Sequence, residues 1–348
     1  MNEPAARVLA ALRRAGAAPI SGESLSAALG VSRAQVWKHV ESLRAAGYDV
    51  TGEPGGGYRL AASPDRLYPE EVSPRLHTRW LARRYHWLDD TDSTNRVAAE
   101  LAREGAPHGT TVVAEGQSAG RGRLGRRFFS PPYLNLYTSI VLRPRLDTAR
   151  APTAILAAAV AVAETVEAFV PEPAAVEIKW PNDVLLGGLK TSGILMEMGA
   201  EATRVAHLVL GIGVNLNVAR DAFPDDFRAL ATSVSTHCGA RVDRVGFAAR
   251  LYDTLEDVLD RHAAGGFDAV RPRFEARFRM RGKTVRVLDS AAGGATNGAG
   301  GAPVVEGVAA GIDADGALLV ERADGSRERV VAGDVTIAKQ PRPEEKRS

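Results

Sequence analysis

The residues between Gly116 and Arg127 have the composition of a loop that binds an anion. Gly120, Gly122 and Gly125 fit the G-x-G-x-x-G spacing of a dinucleotide-binding turn, but that turn requires a helix directly after it. The continuation, 128–132, contains two aromatic residues and two prolines, which disfavour a helix. The spacing therefore does not indicate a dinucleotide-binding fold.

Four arginines belong to the same segment, with Arg121 and Arg123 among the glycines and Arg126 and Arg127 behind them. Glycines allow backbone N–H groups to approach an anion closely, and a guanidinium group binds carboxylate or phosphate in a fixed geometry. The strand-like run Thr110–Ala114 precedes the loop. We predict a loop at the end of a strand that closes over an anionic ligand.

A second polar cluster ends another predicted strand. Within the run 177–183, Pro181 stops the strand, so that Asn182 and Asp183 lie at its end. The Asn182 amide suits a nucleotide or sugar edge, and the Asp183 carboxylate suits Mg²⁺. Lys190 follows a glycine turn, and its ammonium group suits a phosphate that gains negative charge. For Lys190 alone, the alternative is a solvated surface lysine.

Two weaker signals flank these clusters. In the run 92–95, Ser93 and Thr94 either cap the helix that follows or hydrogen-bond a small polar ligand group, and both roles are compatible. In the run 211–217, two glycines permit close approach of a ligand, and Asn215 is able to contact a nucleotide.

The chemistry these clusters indicate is stabilisation of anions without a protein nucleophile. The sequence contains no Ser/His/Asp set and no histidines at metal-ligand spacing, and His108, His207 and His237 receive no role. Cys238, the only cysteine, excludes an internal disulfide and a multi-cysteine metal site. Positive groups without a nucleophile suit adenylation, in which a ligand carboxylate attacks the α-phosphate of ATP.

The composition is that of an ordinary globular protein of two or three domains. Of 348 residues, 25% are charged and 45% hydrophobic, and the net charge of +2 provides no global attraction to nucleic acid or membrane. Arginines interrupt the start of the chain, which argues against a secretory signal, and the apolar run Ala154–Ala163 is too short to span a bilayer. We expect a cytoplasmic protein with no membrane partner.

The elements that must position these residues fall into blocks. We predict a helical N-terminal domain with a glycine-rich hairpin (1–62), a proline-marked linker (63–78), a domain of alternating strands and helices (79–280), a small all-β domain (281–340) and a disordered tail (341–348). The segment 291–301 is of low complexity and is predicted to be a loop. In the central domain, the predicted strands are Thr110–Ala114, Leu134–Val141, Val176–Trp180, Gly193–Met198 and Ala206–Leu216. The predicted helices there are Asn95–Glu104, Pro152–Phe169, Val245–His262 and Val270–Arg279. The all-β domain has the predicted strands Lys283–Leu288, Val304–Ala309, Ala317–Glu321 and Glu328–Val331.

The N-terminal block has the pattern of a winged helix-turn-helix. A first short helix ends at Gly30, and Ser32 and Gln35 form a capping box that opens a second helix. Tyr48–Thr51 and Tyr58–Leu60 then form a wing-like hairpin. The alternative is a helical protein-interaction module. Because Trp37 adjoins the apolar face of the second helix, it is alternatively partly core. The candidate DNA-binding residues are Ser32, Arg33, Gln35, Trp37 and Lys38.

Taken together, the chain resembles the bifunctional biotin protein ligases that carry a DNA-binding domain. The resemblance covers nearly the whole length and rests on four motifs in order, at 92–95, 120–123, 179–183 with Lys190, and 211–215. It implies a multidomain α+β protein, with a winged helix-turn-helix, a central α/β domain of the biotin/lipoate ligase type and a small SH3-like β-barrel. Departures from the family pattern are the insert between about Asp289 and Pro303, and Leu124 in place of a basic residue.

The resemblance implies a role for each matched residue. Lys190, Arg121 and Arg123 would be catalytic, and Asp183 would hold Mg²⁺. The biotin-binding residues would be Ser93, Thr94, Asn95, Gln117, Arg121, Gly122, Arg123, Lys190, Gly193, Ile194 and Leu195. The ATP- and adenylate-binding residues would be Gly120, Arg121, Asn182, Asp183 and Asn215.

It also implies a reaction and partners. Biotin and MgATP would give biotinyl-5′-AMP, and the biotinyl group would pass to a lysine of a biotin carboxyl carrier protein. Biotinyl-AMP would favour a homodimer that binds operator DNA. The alternatives are a lipoate-protein ligase, a metabolite-sensing repressor without catalysis, and a ligase whose winged helix has lost DNA affinity.

Overall fold

The computed structural model describes residues 2–53, 56–288 and 305–337. The chain divides into two compact units, 1–66 and 67–348. The predicted low-complexity loop 291–301 and the predicted tail 341–348 lie outside the described residues.

The first unit contains three helices and a hairpin. Their bounds are α1 Glu3–Ala15, α2 Gly22–Leu29, α3 Arg33–Ala45, β1 Asp49–Glu53 and β2 Gly57–Ala62. The predicted capping box is present, because the Ser32 side chain accepts from the Gln35 amide while the Gln35 side chain accepts from Ser32 N. Val36, Val40 and Leu43 are fully buried on the inner face of α3. Trp37 follows Val36 directly, and its side chain is 54% exposed, so it lies largely outside the core.

A seven-stranded mixed sheet forms the centre of the second unit. Its order is β3-β4-β5-β9-β8-β7-β6, and all pairs are antiparallel except β3 with β4. The strands are β3 Tyr85–Thr91, β4 Thr111–Gln117, β5 Leu136–Leu142, β6 Val176–Lys179, β7 Asp183–Leu186, β8 Leu189–Glu201 and β9 Arg204–Val214. Strands β3 and β7 were not predicted. Strand β3 pairs with β4, about 25 residues further along the chain, whereas β7 pairs with its chain neighbours β6 and β8.

Helices cover both faces of this sheet. They are α4 Pro69–Val72, α5 Thr94–Arg103, α6 Thr153–Glu167, α7 Asp225–Arg228, α8 Val234–Cys238, α9 Arg244–Gly265 and α10 Arg271–Glu275. Helix α5 packs against one face, and α6 and α9 pack against the other. The prediction of a helix over Val270–Arg279 is too long. Helix α10 ends at Glu275, and the Arg277 carbonyl beyond it accepts from Ile178 N of β6.

One helical segment, 148–167, is long and apolar enough to cross a membrane by length and composition. In the fold, 72% of its most apolar window is buried. Its alanines and valines pack against the sheet and α9, so the segment is a core helix of the second unit.

The C-terminal strands form a separate antiparallel sheet in the order β13-β12-β11-β10-β14. The strands are β10 Thr284–Leu288, β11 Val305–Ile312, β12 Leu318–Glu321, β13 Arg327–Val330 and β14 Asp334–Ile337. The first four match the predicted strands, and β14 was not predicted. Trp180 fixes this sheet to the central domain: it is 2% exposed, and its indole N–H donates to Gly316 O at 2.9 Å.

Candidate active site

Three glycines make a shallow floor on the α5 face of the central sheet. Gly193 of β8 pairs with Gly213 of β9, and Gly211 of β9 pairs with Ser139 of β5. Because alternate residues of a strand share a face, these positions lie on the same side of the sheet. The missing side chains leave room for groups that lie on the sheet, and the Asn95 amide rests on Gly211.

A connected set of polar side chains lies at one end of this floor. The Thr94 amide and hydroxyl donate to Gln117 Oε1 at 2.9 and 3.1 Å, and Gln117 Nε2 donates to Ser130 Oγ at 3.1 Å. Ser139 Oγ lies 2.8 Å from Thr94 Oγ1 and donates to Asn95 Oδ1 at 2.6 Å. Of the predicted biotin-binding residues, the structure thus brings Thr94, Asn95 and Gln117 together.

Ser93 is the N-cap residue directly before α5, but its side chain makes no capping hydrogen bond. Its amide instead donates to Asp92 Oδ1 at 2.6 Å, and Asp92 pairs with Arg96. The hydrogen bond from Arg96 lowers the pKa of the Asp92 carboxyl. The capping alternative for Ser93 is therefore wrong, since its side chain accepts no hydrogen bond from the first turn of α5. The Ser93 side chain is 3% exposed.

The glycine–arginine segment forms a folded-back loop with no helix behind it. Phe128 N donates to Gly120 O at 2.9 Å, and Gly122 N donates to Arg126 O at 2.7 Å. Leu124 lies in the left-handed region with φ of 58°. The exclusion of a dinucleotide-binding turn is confirmed. Gly125 ends a short 3₁₀ turn, and the chain after it is extended and not helical.

Arg123 is the arginine of this loop that points into the domain. Its guanidinium donates to Asn182 Oδ1 at 3.1 Å and to Gly333 O of the C-terminal domain at 3.3 Å. Burial lowers its pKa, although Asp183 and Asp334 oppose that effect. An arginine stays charged at neutral pH even so. Arg121 and Arg127 are exposed and form a backbone bridge to each other.

Lys190 lies beside Asp183, with Nζ 2.6 Å from Asp183 Oδ1. The contact is an ion pair without the angles of a hydrogen bond, so this buried oxygen accepts no hydrogen bond within the described residues. A Cβ on Gly193 would meet Lys190 Nζ at 3.1 Å, which places the ammonium group directly over the glycine floor. The structure therefore brings Lys190, Asp183, Asn182, Arg123 and Gly193 together.

Three further predicted residues, Ile194, Leu195 and Asn215, differ in how deeply their side chains are buried. Ile194 is 1% exposed and belongs to the core, whereas Leu195 is half-buried on the strand face opposite to that of Ile194. The Asn215 side chain is held within the fold: its Nδ2 donates to Thr232 O at 3.2 Å, and its Oδ1 accepts from Asn135 at 3.4 Å. Asn215 is 4% exposed.

Sequence reasoning missed Phe128, Ser130 and Ser139. The Phe128 ring covers Gly193 and Gly213, where an added Cβ would lie 3.5 and 2.6 Å from ring atoms. Ser130 links Gln117 to the Phe128 carbonyl at 2.9 Å. A serine in the middle of an apolar strand was a usable signal for Ser139, since a buried hydroxyl needs a partner.

The predicted DNA-binding residues lie together on α3 in the first unit. Arg33, Gln35, Trp37 and Lys38 are exposed. Ser32 is also exposed, but its side chain and that of Gln35 bond to each other's backbone in the capping box. Arg33, Trp37 and Lys38 thus remain as the side chains best placed to reach outward.

Comparisons with known proteins agree along most of the chain. Residues 87–215 match the Biotin/lipoate A/B protein ligase family, residues 5–59 match a helix-turn-helix (HTH) domain, and residues 293–337 match the biotin protein ligase C terminal domain. The bifunctional ligase/repressor BirA of Bacillus subtilis is 37% identical over 326 residues, which is 93% of this chain and 95% of the relative. The chain belongs to this family of bifunctional biotin ligases and repressors.

Further matches within the family are consistent with this assignment. BirA of Escherichia coli is 31% identical over 91% of this chain and 92% of its own length. The structure of the biotin protein ligase from Aquifex aeolicus in complex with biotin and ATP has a TM-score of 0.60 and 26% identity, and covers 74% of this chain and 100% of that chain. The predicted fold class, a helix-turn-helix with a ligase domain and a C-terminal β-rich domain, is confirmed.

Proposed function

We propose that this protein is an ATP-dependent biotin protein ligase that also represses transcription in response to biotin. The ligase activity is inferred from two cationic side chains, Lys190 and Arg123, that lie at the glycine floor. Lys190 lies beside Asp183 and Arg123 beside Asn182, on the sheet face that also carries the polar set of Thr94, Asn95 and Gln117. One end therefore suits a ring with polar atoms, and the other suits a carboxylate and a phosphate.

In the first half-reaction, a carboxylate oxygen of biotin attacks the α-phosphorus of ATP, and the bond to pyrophosphate breaks. Negative charge grows on the α-phosphate oxygens and on the leaving pyrophosphate. Lys190 and Arg123 stabilise that charge, and Arg121 reaches it when the loop closes. Closure also excludes water, which would otherwise hydrolyse the acyl-adenylate. Gly120 and Gly122 let the loop backbone approach the adenylate.

The Asp183 carboxylate fits a magnesium ion that arrives with ATP. Its buried Oδ1 accepts no hydrogen bond in the described structure and is paired with the Lys190 ammonium group, and Mg²⁺ prefers one or two carboxylates together with phosphate oxygens. No group of three or more metal-ligating side chains occurs within the described residues, which suits an ion carried by the nucleotide. When bound, Mg²⁺ would neutralise charge on the phosphates.

In the second half-reaction, a lysine amine of a biotin carboxyl carrier protein attacks the acyl carbon, and AMP leaves.

The same bound adenylate provides the regulatory signal. We infer that biotinyl-AMP favours a homodimer whose α3 helices bind operator DNA. Thermodynamic linkage requires the adenylate to bind the dimer-competent state more tightly than the other state.

Biotin-dependent ATP–pyrophosphate exchange tests the ligase activity. We expect exchange with biotin, none with lipoic acid, and a decrease of at least about 100-fold in a Lys190→Ala variant, because the main α-phosphate cation is lost. Exchange with lipoic acid would favour a lipoate-protein ligase. No exchange with either acid would leave a metabolite-sensing repressor without catalysis as the better interpretation.

A further inference from the structure

Ser139 is a fully buried hydroxyl in the middle of β5 that has no place in the reaction described above. It lies on the α5 face, between two side chains of the polar set, at 2.6 Å from Asn95 Oδ1 and 2.8 Å from Thr94 Oγ1. Ser139 is the donor in both contacts, and because a hydroxyl has only one proton, the two acceptors share it.

The surrounding groups decide where that proton goes. Asn95 Nδ2 lies 3.4 Å from a carboxylate oxygen of Glu197, which only accepts when ionised, and this contact directs Asn95 Oδ1 toward Ser139. An amide oxygen only accepts, so Ser139 donates to it. Toward Thr94 Ser139 is also the donor, because the Thr94 hydroxyl itself donates to Gln117 Oε1.

The other neighbour of Thr94 leads to the same result. The Ser130 hydroxyl donates to the Phe128 carbonyl, so Ser130 Oγ accepts from Gln117 Nε2. Gln117 therefore presents its oxygen to Thr94. The Thr94 hydroxyl proton goes to Gln117 Oε1, so Thr94 Oγ1 has only lone pairs left for Ser139 and for a ligand.

We propose that Ser139 is a positioning residue that holds the Thr94 hydroxyl as a hydrogen-bond acceptor for an N–H group of the bound ligand. The inference rests on the proposed function, in which that ligand is the cyclic urea of biotin. A ligand ring with an ether oxygen in place of this N–H group would bind less tightly, because the lone pairs of that oxygen and of Thr94 Oγ1 would repel each other. Ser139 thus contributes to selectivity for a donor without touching the ligand.

The first test compares Ser139→Ala with Thr138→Val in ATP–pyrophosphate exchange. Thr138 is the adjacent residue of β5, is equally buried, and bonds to Tyr252 on the opposite face. We expect Ser139→Ala to raise the KM for biotin about tenfold, because a ligand contact loses its fixed acceptor, and to leave the KM for ATP unchanged. Thr138→Val should leave both KM values unchanged, and any decrease in Tm should be shared by the two variants.

The second test uses the wild-type protein, so it does not depend on the folding of a variant. Two biotin analogues, each with one ureido N–H replaced by a ring oxygen, are compared as competitive inhibitors. We expect one of them to bind at least about tenfold more weakly than biotin. Equal binding of both analogues and biotin, or an unchanged KM for biotin in Ser139→Ala, would overturn the proposal. Wild-type protein without biotin-dependent exchange would instead overturn the proposed function, and the role of Ser139 with it.

Discussion

The contacts of Arg123 depend on the planar, branched geometry of its guanidinium group. Its two terminal nitrogens donate in different directions, one to the Asn182 side chain and one to the Gly333 carbonyl. A lysine carries the same charge but has a single ammonium group, which cannot span both acceptors. The geometry of the contact, and not only its charge, holds the loop next to Lys190.

We therefore predict that Arg123→Lys decreases biotin-dependent exchange by about 10- to 100-fold, because one of the two anchoring bonds is lost while the charge is kept. Arg127→Lys is the matched control, since Arg127 is an exposed arginine of the same loop. Initial rates at saturating ATP provide the measurement. Equal rates for the two variants would mean that Arg123 contributes through charge alone.

At the scale of elements, the register of β5, β9 and β8 determines which residues form the floor. Gly211 pairs with Ser139 on one side, and Gly213 pairs with Gly193 on the other. A shift by one residue would turn Ile212 toward the ligand and bury the glycines. The helix α5 also depends on this register, because its Asn95 amide occupies the space that Gly211 leaves.

We predict that Gly211→Ala destabilises the fold by about 1–3 kcal/mol and raises the KM for biotin, because the new methyl group overlaps the Asn95 amide. Urea unfolding and exchange kinetics measure the two effects. In the double variant with Asn95→Ala the overlap is gone, so the loss of stability should be smaller than the sum of the single losses. Simple additivity would show that the two residues do not compete for the same space.

At the scale of the whole molecule, adenylation and DNA binding belong to separate compact units of one chain. A signal between them must pass through a state that the adenylate stabilises. Within the second unit, the loop is also tied to the C-terminal domain, through Arg123 and through the ion pair of Arg126 with Asp334. That domain therefore takes part in holding the loop.

We predict that biotin plus ATP strengthens binding to DNA selected from a random pool by at least about tenfold, and that Lys190→Ala removes this response because it makes no adenylate. Arg33→Ala and Lys38→Ala should each decrease the slope of log affinity against log salt by about one. Fluorescence anisotropy over a salt series, with sedimentation of the same samples, measures both binding and dimerisation. DNA affinity that ignores biotin and ATP would contradict the regulatory proposal.

Local patterns in the sequence were sufficient where a feature depends on neighbours along the chain. The capping box of Ser32 and Gln35, the apolar helix α6 and the helix-free continuation after Gly125 follow from backbone preferences and periodicity. The clusters around Arg123 and Lys190 were found in the same way, since their residue types alone indicate anion chemistry. The motif order predicted the family, which the comparisons confirm.

Tertiary structure decided the features that depend on partners distant in the chain. Strands β3 and β14 exist because of such pairings, and the Arg277 carbonyl, beyond the end of α10, accepts from Ile178 N of β6. The roles of Ser139 and Phe128 follow from which strands are adjacent and in which register. Spacing along the chain encodes the face of a strand but not the strand that pairs with it, because that choice depends on the burial of the whole sheet.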